Sequence, residues 1–346
     1  MTLFNLVSSG LSSAACPACL GTETTALREV RSDAAAQHFV LREIDESRHN
    51  ALRSHIERLW GGPSCNLRSC AACGFVYCDP YVAGDARFYE LAYPRGGYPS
   101  WRWEFGLALR AIPEHGSDAW LLEIGAGDGA FIKHVVPAVL PSANVMCLEY
   151  SVVGRAAVSA RGVRCLASDV RDLATDEYAG VFDLVCMFQV LEHMDRLDVL
   201  FDHLSVITRP GASLFISVPN PERIAFNERH GGLVDMPPNH IGRWTRKSLE
   251  AVARRHRWTL VMHAVEPQRA ASKLIGRDGL AVYRYLRGRQ RSGSLPNRIE
   301  RVRSILLRRL FQAALIGAHT IAALPLVGAL RAPSLGATQC AQLRRS

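Results

Sequence analysis

The densest chemistry in the 346-residue chain lies in Leu121-Leu122-Glu123-Ile124-Gly125-Ala126-Gly127-Asp128-Gly129. An apolar run ends in a glycine turn, and a helical pattern follows. Gly125 and Gly127 tolerate backbone angles that other residues avoid, and they let a ligand lie against bare backbone. Carboxylates surround this turn. Glu123 stands two residues before Gly125, Asp128 is inside the loop, Glu149 ends the next apolar run and Asp169 follows a third. A carboxylate at Glu149 can accept two hydrogen bonds from ribose hydroxyls. Asp169, in Ser168-Asp169-Val170, can accept one from an adenine amino group. Glu123 suits a cationic amino acid group and would be a poor neighbour for a pyrophosphate. A dinucleotide remains the competing ligand, because Gly125-x-Gly127-x-x-Ala130 with Glu149 downstream also fits that fingerprint. The acids favour a ligand with an adenosine end and a positive end.

Strand and helix patterns place these residues. Ala119–Ile124, Asn144–Leu148, Val163–Ala167, Val181–Phe188 and Ser213–Val218 read as strands, with Trp258–Ala264 as the last. Helical patterns over 130–139, 152–161, 197–208 and 247–257 lie between them, and Ser100–Ile112 precedes them. Repeated alternation predicts an α/β, doubly wound, mostly parallel sheet covered by helices. The acids and glycines then gather at the carboxyl ends of the strands, where such sheets bind ligands.

S-adenosyl-L-methionine has the required adenosine and cationic ends. With Phe182-Asp183-Leu184-Val185, Gln189-Val190-Leu191-Glu192-His193, Arg209-Pro210-Gly211-Ala212 and Val218-Pro219-Asn220 added to the motifs above, the chain resembles class I S-adenosylmethionine-dependent methyltransferases over about 115–265. It looks most like the branch holding ubiquinone-biosynthesis O-methyltransferases and bacterial small-molecule enzymes. Ala212 stands where a second glycine is common in that branch. The resemblance implies a Rossmann-like sheet of seven strands. It implies that Glu123, Gly125, Ala126 and Gly127 hold the methionine part, that Glu149 binds ribose, and that Asp169 and Val170 flank adenine. Phe188 and Gln189 would line the methyl side.

Methyl transfer from a sulfonium is an in-line displacement, so the enzyme mainly aligns the partners and excludes water. A hydroxyl acceptor also needs its proton removed, and histidine suits that task. His193, after strand Val181–Phe188, and His240, in Met236-Pro237-Pro238-Asn239-His240, are the candidates, with His230 third. Each has a plainer reading as a residue that hydrogen-bonds its own loop.

Two cysteine hooks lie upstream: Cys16-Pro17-Ala18-Cys19 and Cys70-Ala71-Ala72-Cys73-Gly74. Two residues between thiolates let both sulfurs face one ion, and two hooks make a tetrahedral zinc site of structural type. The long gap between the hooks makes Arg42–Arg58 an insertion of helical pattern. Cys65 and Cys78 supply an alternative local set with the second hook. Cys147, Cys165 and Cys186 fall on core strands.

Ten cysteines with paired spacing favour metal over disulfides in a cytosolic chain. Met1–Ala15 lacks the positive start and unbroken apolar stretch of a secretion signal. The formal charge is +9, and residues 269–346 carry 15 basic against two acidic residues. Subtracting that +13 leaves −4 for 1–268, which argues against nucleic acid as a partner of the main body. Leu310–Leu330 carries no charge over 21 residues and follows an arginine-rich stretch. A helix packed on the protein is the first reading of it, ahead of peripheral membrane contact and a true span.

The organisation expected is a cysteine-rich zinc module and connection over 1–99, a methyltransferase domain over 100–265, and a basic helical C-terminal extension over 266–346. The activity expected is methyl transfer, at oxygen, to a small-molecule or glycan-pathway (sugar- or lipid-linked) acceptor in the cytoplasm. An NAD(P)-dependent oxidoreductase and a non-catalytic adenosine-binding or zinc scaffold are the rivals. No motif names the acceptor or the oligomeric state.

Overall fold

A computed structural model describes residues 15–93, 101–173, 176–233 and 235–346. The secretion-signal reading of Met1–Ala15 therefore lies outside the described residues, apart from Ala15. The strands in chain order are β1 (Thr24–Arg31), β2 (Ser64–Cys70), β3 (Val76–Asp79), β4 (Leu121–Ile124), β5 (Val145–Leu148), β6 (Arg164–Leu166), β7 (Phe182–Phe188), β8 (Thr208–Pro219), β9 (Gly242–Arg243), β10 (Trp258–Val265) and β11 (Thr338–Arg345).

Seven of them form one sheet in the order β10-β11-β8-β7-β4-β5-β6. β4 lies between β5 and β7 and is parallel to both, with Leu121–Ile124 facing Val145–Leu148 on one side and Leu184–Met187 on the other. All four residues of β4 and of β5 are buried, as strands covered on both faces must be. One face carries Leu122, Met146, Val185, Ile216 and Trp258, and the other carries Leu121, Cys147, Leu184, Cys186 and Phe215. Cys147 and Cys186 pack in the core, while Cys165 is half-buried.

The expected boundary at 265/266 is wrong. β11, at the far end of the chain, is inserted between β8 and β10 and is antiparallel to both. Trp258–Val265 is thus the penultimate strand. The basic stretch after it is an excursion from the sheet that returns to complete it. Two neighbouring strands are available at that slot, so pairing on both edges compensates for the mixed composition Thr-Gln-Cys-Ala-Gln-Leu-Arg-Arg.

The excursion is helical, and its long helix packs on the neighbouring helices along one side, where Gln312 donates to Glu300 and Arg284 to the His319 carbonyl, leaving the rest exposed. In helix Ile305–Ala323 only Ala323 is fully buried. Leu306, Leu310 and Ile321 are exposed by 69%, 57% and 69%. Among the described residues, 305–330 is the one helical stretch long and apolar enough to cross a membrane.

The N-terminal module is a second sheet, β1-β2-β3-β9, with helices Ser32–Phe39 and Glu46–Trp60 filling the gap between the hooks. Asp45 caps the second helix by accepting from the Arg48 N–H, and Gly61, in a left-handed conformation (φ 66°), ends it. β9 comes from the segment after β8, so a strand from downstream of the large sheet's β8 completes the sheet of the N-terminal module. Gly242 is required there: a Cβ would stand 2.7 Å from the Phe75 ring. That segment, read as irregular over 219–245, also contains helix Pro221–Arg229.

Candidate active site

The glycine turn follows β4 with Gly125 at φ 72° and Gly127 at φ 58°. A Cβ on Gly125 would approach Val190 Cγ2 to 2.7 Å, so the turn lies tight against the end of β7. Behind it, Glu123 is 3% exposed and its Oε2 has no hydrogen-bond partner. Burial, with the nearby Glu149 and Asp128 charges, pushes its carboxyl well above the usual range. An unpartnered acid among acids calls for a cationic neighbour. Ala126, also in the turn, is buried beneath it.

Glu149 braces the turn. Its Oε2 accepts from the Gly127 N–H at 2.8 Å and its Oε1 from the Ser151 N–H at 2.7 Å. Each oxygen retains a second lone-pair direction for a hydroxyl. Gly154, in the helix after β5, permits this arrangement, because a Cβ there would lie 2.5 Å from the Gly127 carbonyl oxygen. Asp169 is engaged more fully. Arg171 donates to it through Nε at 2.7 Å, through Nη2 at 2.5 Å and through its own backbone N–H at 2.9 Å. Burial alone would raise the Asp169 carboxyl, but Arg171 holds it below its ordinary value. Val170 is buried beside it. Arg171 was not among the expected site residues, although it stands two positions from Asp169.

At the end of β7 the expected pair divides. Phe188 packs into an aromatic trio, 4.9 Å from the Phe105 ring and 5.0 Å from the Phe131 ring. Gln189 adopts φ 59°, unusual for a residue with a Cβ, and its amide donates to Ser217 Oγ at 3.2 Å. Ser217 Oγ in turn donates to Glu104 Oε1 at 3.0 Å. Glu104 is buried, and burial raises its carboxyl. This chain links three elements far apart in sequence, which is why no window of residues reveals it.

Gln189 and Glu104 open onto a cleft of about 640 Å³. Its wall includes Trp101, Arg102, Trp103 and Asn227, His240 with Asp235, and Arg277, Asp278 and Tyr283 from the excursion between β10 and β11. A second cleft of about 420 Å³, around Trp120, Arg164 and Arg209, lies at the opposite end of the strands, away from the glycine turn.

His193 and His240 come together with ring centroids 4.7 Å apart. His193 Nδ1 lies 2.6 Å from the Asn239 carbonyl oxygen, and His240 Nδ1 lies 2.6 Å from Asp235 Oδ1. Burial and the adjacent His240 push His193 down to about 3. Burial also opposes charge on His240, but Asp235 and then Glu192 carry it above its ordinary value. Glu192 is fully buried, and burial pushes it up to about 7 against the pull of His240. His230 is elsewhere, capping helix Pro221–Arg229 and packing on Phe226.

Cys16, Cys19, Cys70 and Cys73 converge, with all four sulfurs within 4.8 Å of one another. Cys16 and Cys73 Sγ are 3.6 Å apart, and Cys19 and Cys70 Sγ are 3.5 Å apart. A tetrahedron with Zn–S bonds of about 2.3 Å has edges of about 3.8 Å, so the donor set fits that ion. Cys65 and Cys78 pair apart from this cluster, 3.6 Å from each other in the core of the module. The hooks are tied to the segment after His240: Arg255 donates to the Pro17 and Ala18 carbonyls, and Thr245 to the Cys73 carbonyl.

Residues 103–263 match the methyltransferase-domain family model. A 66-residue stretch is 33% identical to the mitochondrial ubiquinone biosynthesis O-methyltransferase of Dictyostelium discoideum, covering 19% of this chain and 21% of that protein. The chain thus spans about a fifth of the length of that curated relative. Among solved structures, an S-adenosylmethionine-dependent methyltransferase from Archaeoglobus fulgidus superposes with a TM-score of 0.44 at 15% identity, covering 75% of this chain and 100% of that one. Geranyl diphosphate C-methyltransferase from Streptomyces coelicolor A3(2) gives 0.40 at 14% identity, with 75% and 81% covered. With the strand order, the glycine turn and the family match taken together, residues 103–263 are a methyltransferase domain of Rossmann-like fold.

Proposed function

We propose that the whole protein transfers a methyl group from S-adenosylmethionine to a hydroxyl oxygen of a small-molecule or glycan-pathway acceptor. The observation that carries this is Glu123, a buried acid whose Oε2 has no hydrogen-bond partner, behind a positive-φ glycine turn. The donor's ammonium group neutralises it, and the ribose hydroxyls use the remaining lone pairs of Glu149. The methyl group then points past Gln189 into the cleft. The acceptor oxygen attacks the methyl carbon, the C–S bond breaks and the sulfur keeps the electron pair. The hydroxyl proton must leave as this happens, and the His193–His240 pair serves the acceptor side. Calorimetry with S-adenosylmethionine, its demethylated product and NAD tests the donor. Tight binding of NAD with no heat from the sulfonium would overturn the reading. Turnover of labelled methyl donor with hydroxylated candidates separates an enzyme from a sensor.

The four hook sulfurs support a structural zinc, closed to substrate because four thiolates leave no open position. Through Arg255 and Thr245 it steadies the segment that carries His240. We expect about one thiolate-bound zinc per chain, lost in Cys73→Ser.

The exposed helix at 305–323 supports peripheral membrane contact. Arg298, Arg301, Arg303 and Arg309 are exposed beside its apolar residues, a pairing that suits anionic lipid headgroups. Because the same excursion lines the cleft, a lipid-linked acceptor on a cytoplasmic membrane face fits best. Flotation with phosphatidylglycerol vesicles, compared with neutral phosphatidylcholine, tests this. Leu306→Glu with Leu310→Glu should abolish flotation. Truncation before the helix is unsuitable, since it removes β11.

A further inference from the structure

Helix Pro221–Arg229 brings two polar side chains, Arg223 and Asn227, to the wall of the 640 Å³ cleft. They stand four positions apart and so share one face of the helix. Asn227 is fully buried, and neither its Nδ2 nor its Oδ1 has a hydrogen-bond partner. Arg223 is 2% exposed. Its Nη atoms donate to the backbone carbonyls of Leu335, Lys273 and Asp278, while its Nε has no partner. Buried polar atoms are nearly always paired, so three orphaned atoms on one helical turn beside a cleft point to a ligand.

Charge points the same way. Arg223 is a buried cation held by carbonyl dipoles, and burial lowers its guanidinium to about 10 against the pull of Tyr283, Asp278 and Glu266. Its neighbour Lys273 is also buried and donates to the Ala332 carbonyl. Arg102 and Arg277 line the same cleft. The carboxylates of the cleft are engaged: Asp235 with His240, Glu104 with Ser217, Asp278 with the Tyr283 hydroxyl and Glu266 with the Thr338 hydroxyl. Asp278 is also exposed, where solvent screens it, whereas Arg223 is not.

The orphaned atoms narrow the class of anion. Arg223 Nε–H and Asn227 Nδ2–H are donors and suit an oxyanion. Asn227 Oδ1 needs a donor in return. A carboxylate has none, whereas a phosphomonoester carries a P–OH in its monoanion. We propose that the acceptor bears a phosphoryl group, received in the cleft by Arg223 and Asn227 with Arg102 and Arg277 supplying further positive charge. Gln189 lines the same cleft, so a molecule held by its phosphoryl group can present a hydroxyl to the methyl donor. That this molecule is the methyl acceptor rests on the methyl-transfer reading, while the anion subsite does not.

Inorganic phosphate is the first probe. Calorimetry with the full chain should find one saturable phosphate site. Asn227→Asp, which swaps the amide donor for a carboxylate of the same shape, should weaken it by about 10-fold or more, as should Arg223→Lys, which keeps the charge and loses Nε–H. Arg277→Gln should weaken it by about 3-fold. A cooperative thermal transition shows that each variant folds. Arg223 ties three carbonyls, so Asn227→Asp and Arg277→Gln carry the test if its variant fails to fold. Acetate should bind at least about 10-fold more weakly than phosphate. Glycerol phosphate and dihexanoyl phosphatidic acid should displace phosphate, and the tighter of the two tells a soluble ester from a lipid headgroup. With labelled methyl donor, the phosphorylated member of each pair of hydroxylated compounds should have the lower KM. Equal phosphate binding by wild type and the variants, none by any, acetate bound as tightly, displacement by neither ester or equal KM within the pairs overturns the proposal. Phosphate binding as expected by a chain that binds no sulfonium donor keeps the subsite and loses the methyl-transfer reading.

Discussion

The two halves of the site are built differently. The donor half is a strand, a turn and the ends of two neighbouring strands, with its glycines and Glu123 inside seven consecutive residues. The acceptor half has no such centre. It gathers Glu104 from before β4, Gln189 from just after β7, Asp235 and His240 from the segment after β8, and Tyr283 from the excursion before β11. On the proposed reading, donor recognition is a property of local backbone geometry, whereas acceptor recognition depends on long-range packing. Changes in one half should therefore leave the other largely intact.

The largest effect expected is on turnover. His240→Ala or His193→Ala should lower it by about 10²–10⁴-fold while donor affinity stays near wild type. Steady-state kinetics paired with calorimetry checks this, and unchanged turnover in both variants would remove the histidines from the chemistry. The converse change is Gly154→Ala. Its Cβ would meet the Gly127 carbonyl oxygen at 2.5 Å, and overpacking of that kind costs about 1–3 kcal/mol. Donor affinity should fall by about 10-fold or more.

A smaller effect belongs to Arg171→Met, which strips Asp169 and Asp195 of their shared partner. Chemical denaturation should show a loss of about 1–2 kcal/mol, and the donor Kd should move by less than about 10-fold. The smallest is Leu306→Glu with Leu310→Glu. These exposed side chains touch neither half, so turnover of a water-soluble acceptor should be unchanged. A fall in turnover would mean that the excursion shapes the cleft through this helix.

Sequence reading fared unevenly for the same reason. Strands β4, β5 and β7 were legible because buried parallel strands are continuous apolar runs. Helices lost their ends: 130–139 was expected, but only Ile132–Val135 is helical, with Pro137 cutting the rest. Ser100–Ile112 narrowed to Phe105–Ala111 among the described residues. The hooks were legible from two-residue spacing, and their sulfurs do converge. Asp169 was legible as an acid after a strand, but its capture by Arg171 depends on side-chain geometry.

Residue order alone determined the glycine turn, the acids that surround it and the alternation that makes a doubly wound sheet, because each is set by backbone preferences over a few neighbours. Tertiary structure decided that Thr338–Arg345 enters the sheet, that His193, His240 and Glu192 come together, and that an arginine-rich excursion walls the cleft. Those outcomes come from pairing across 46 residues between His193 and Asn239 and across 119 to 131 between β11 and β8, where the free energy lies in burial and strand edges rather than in any local pattern.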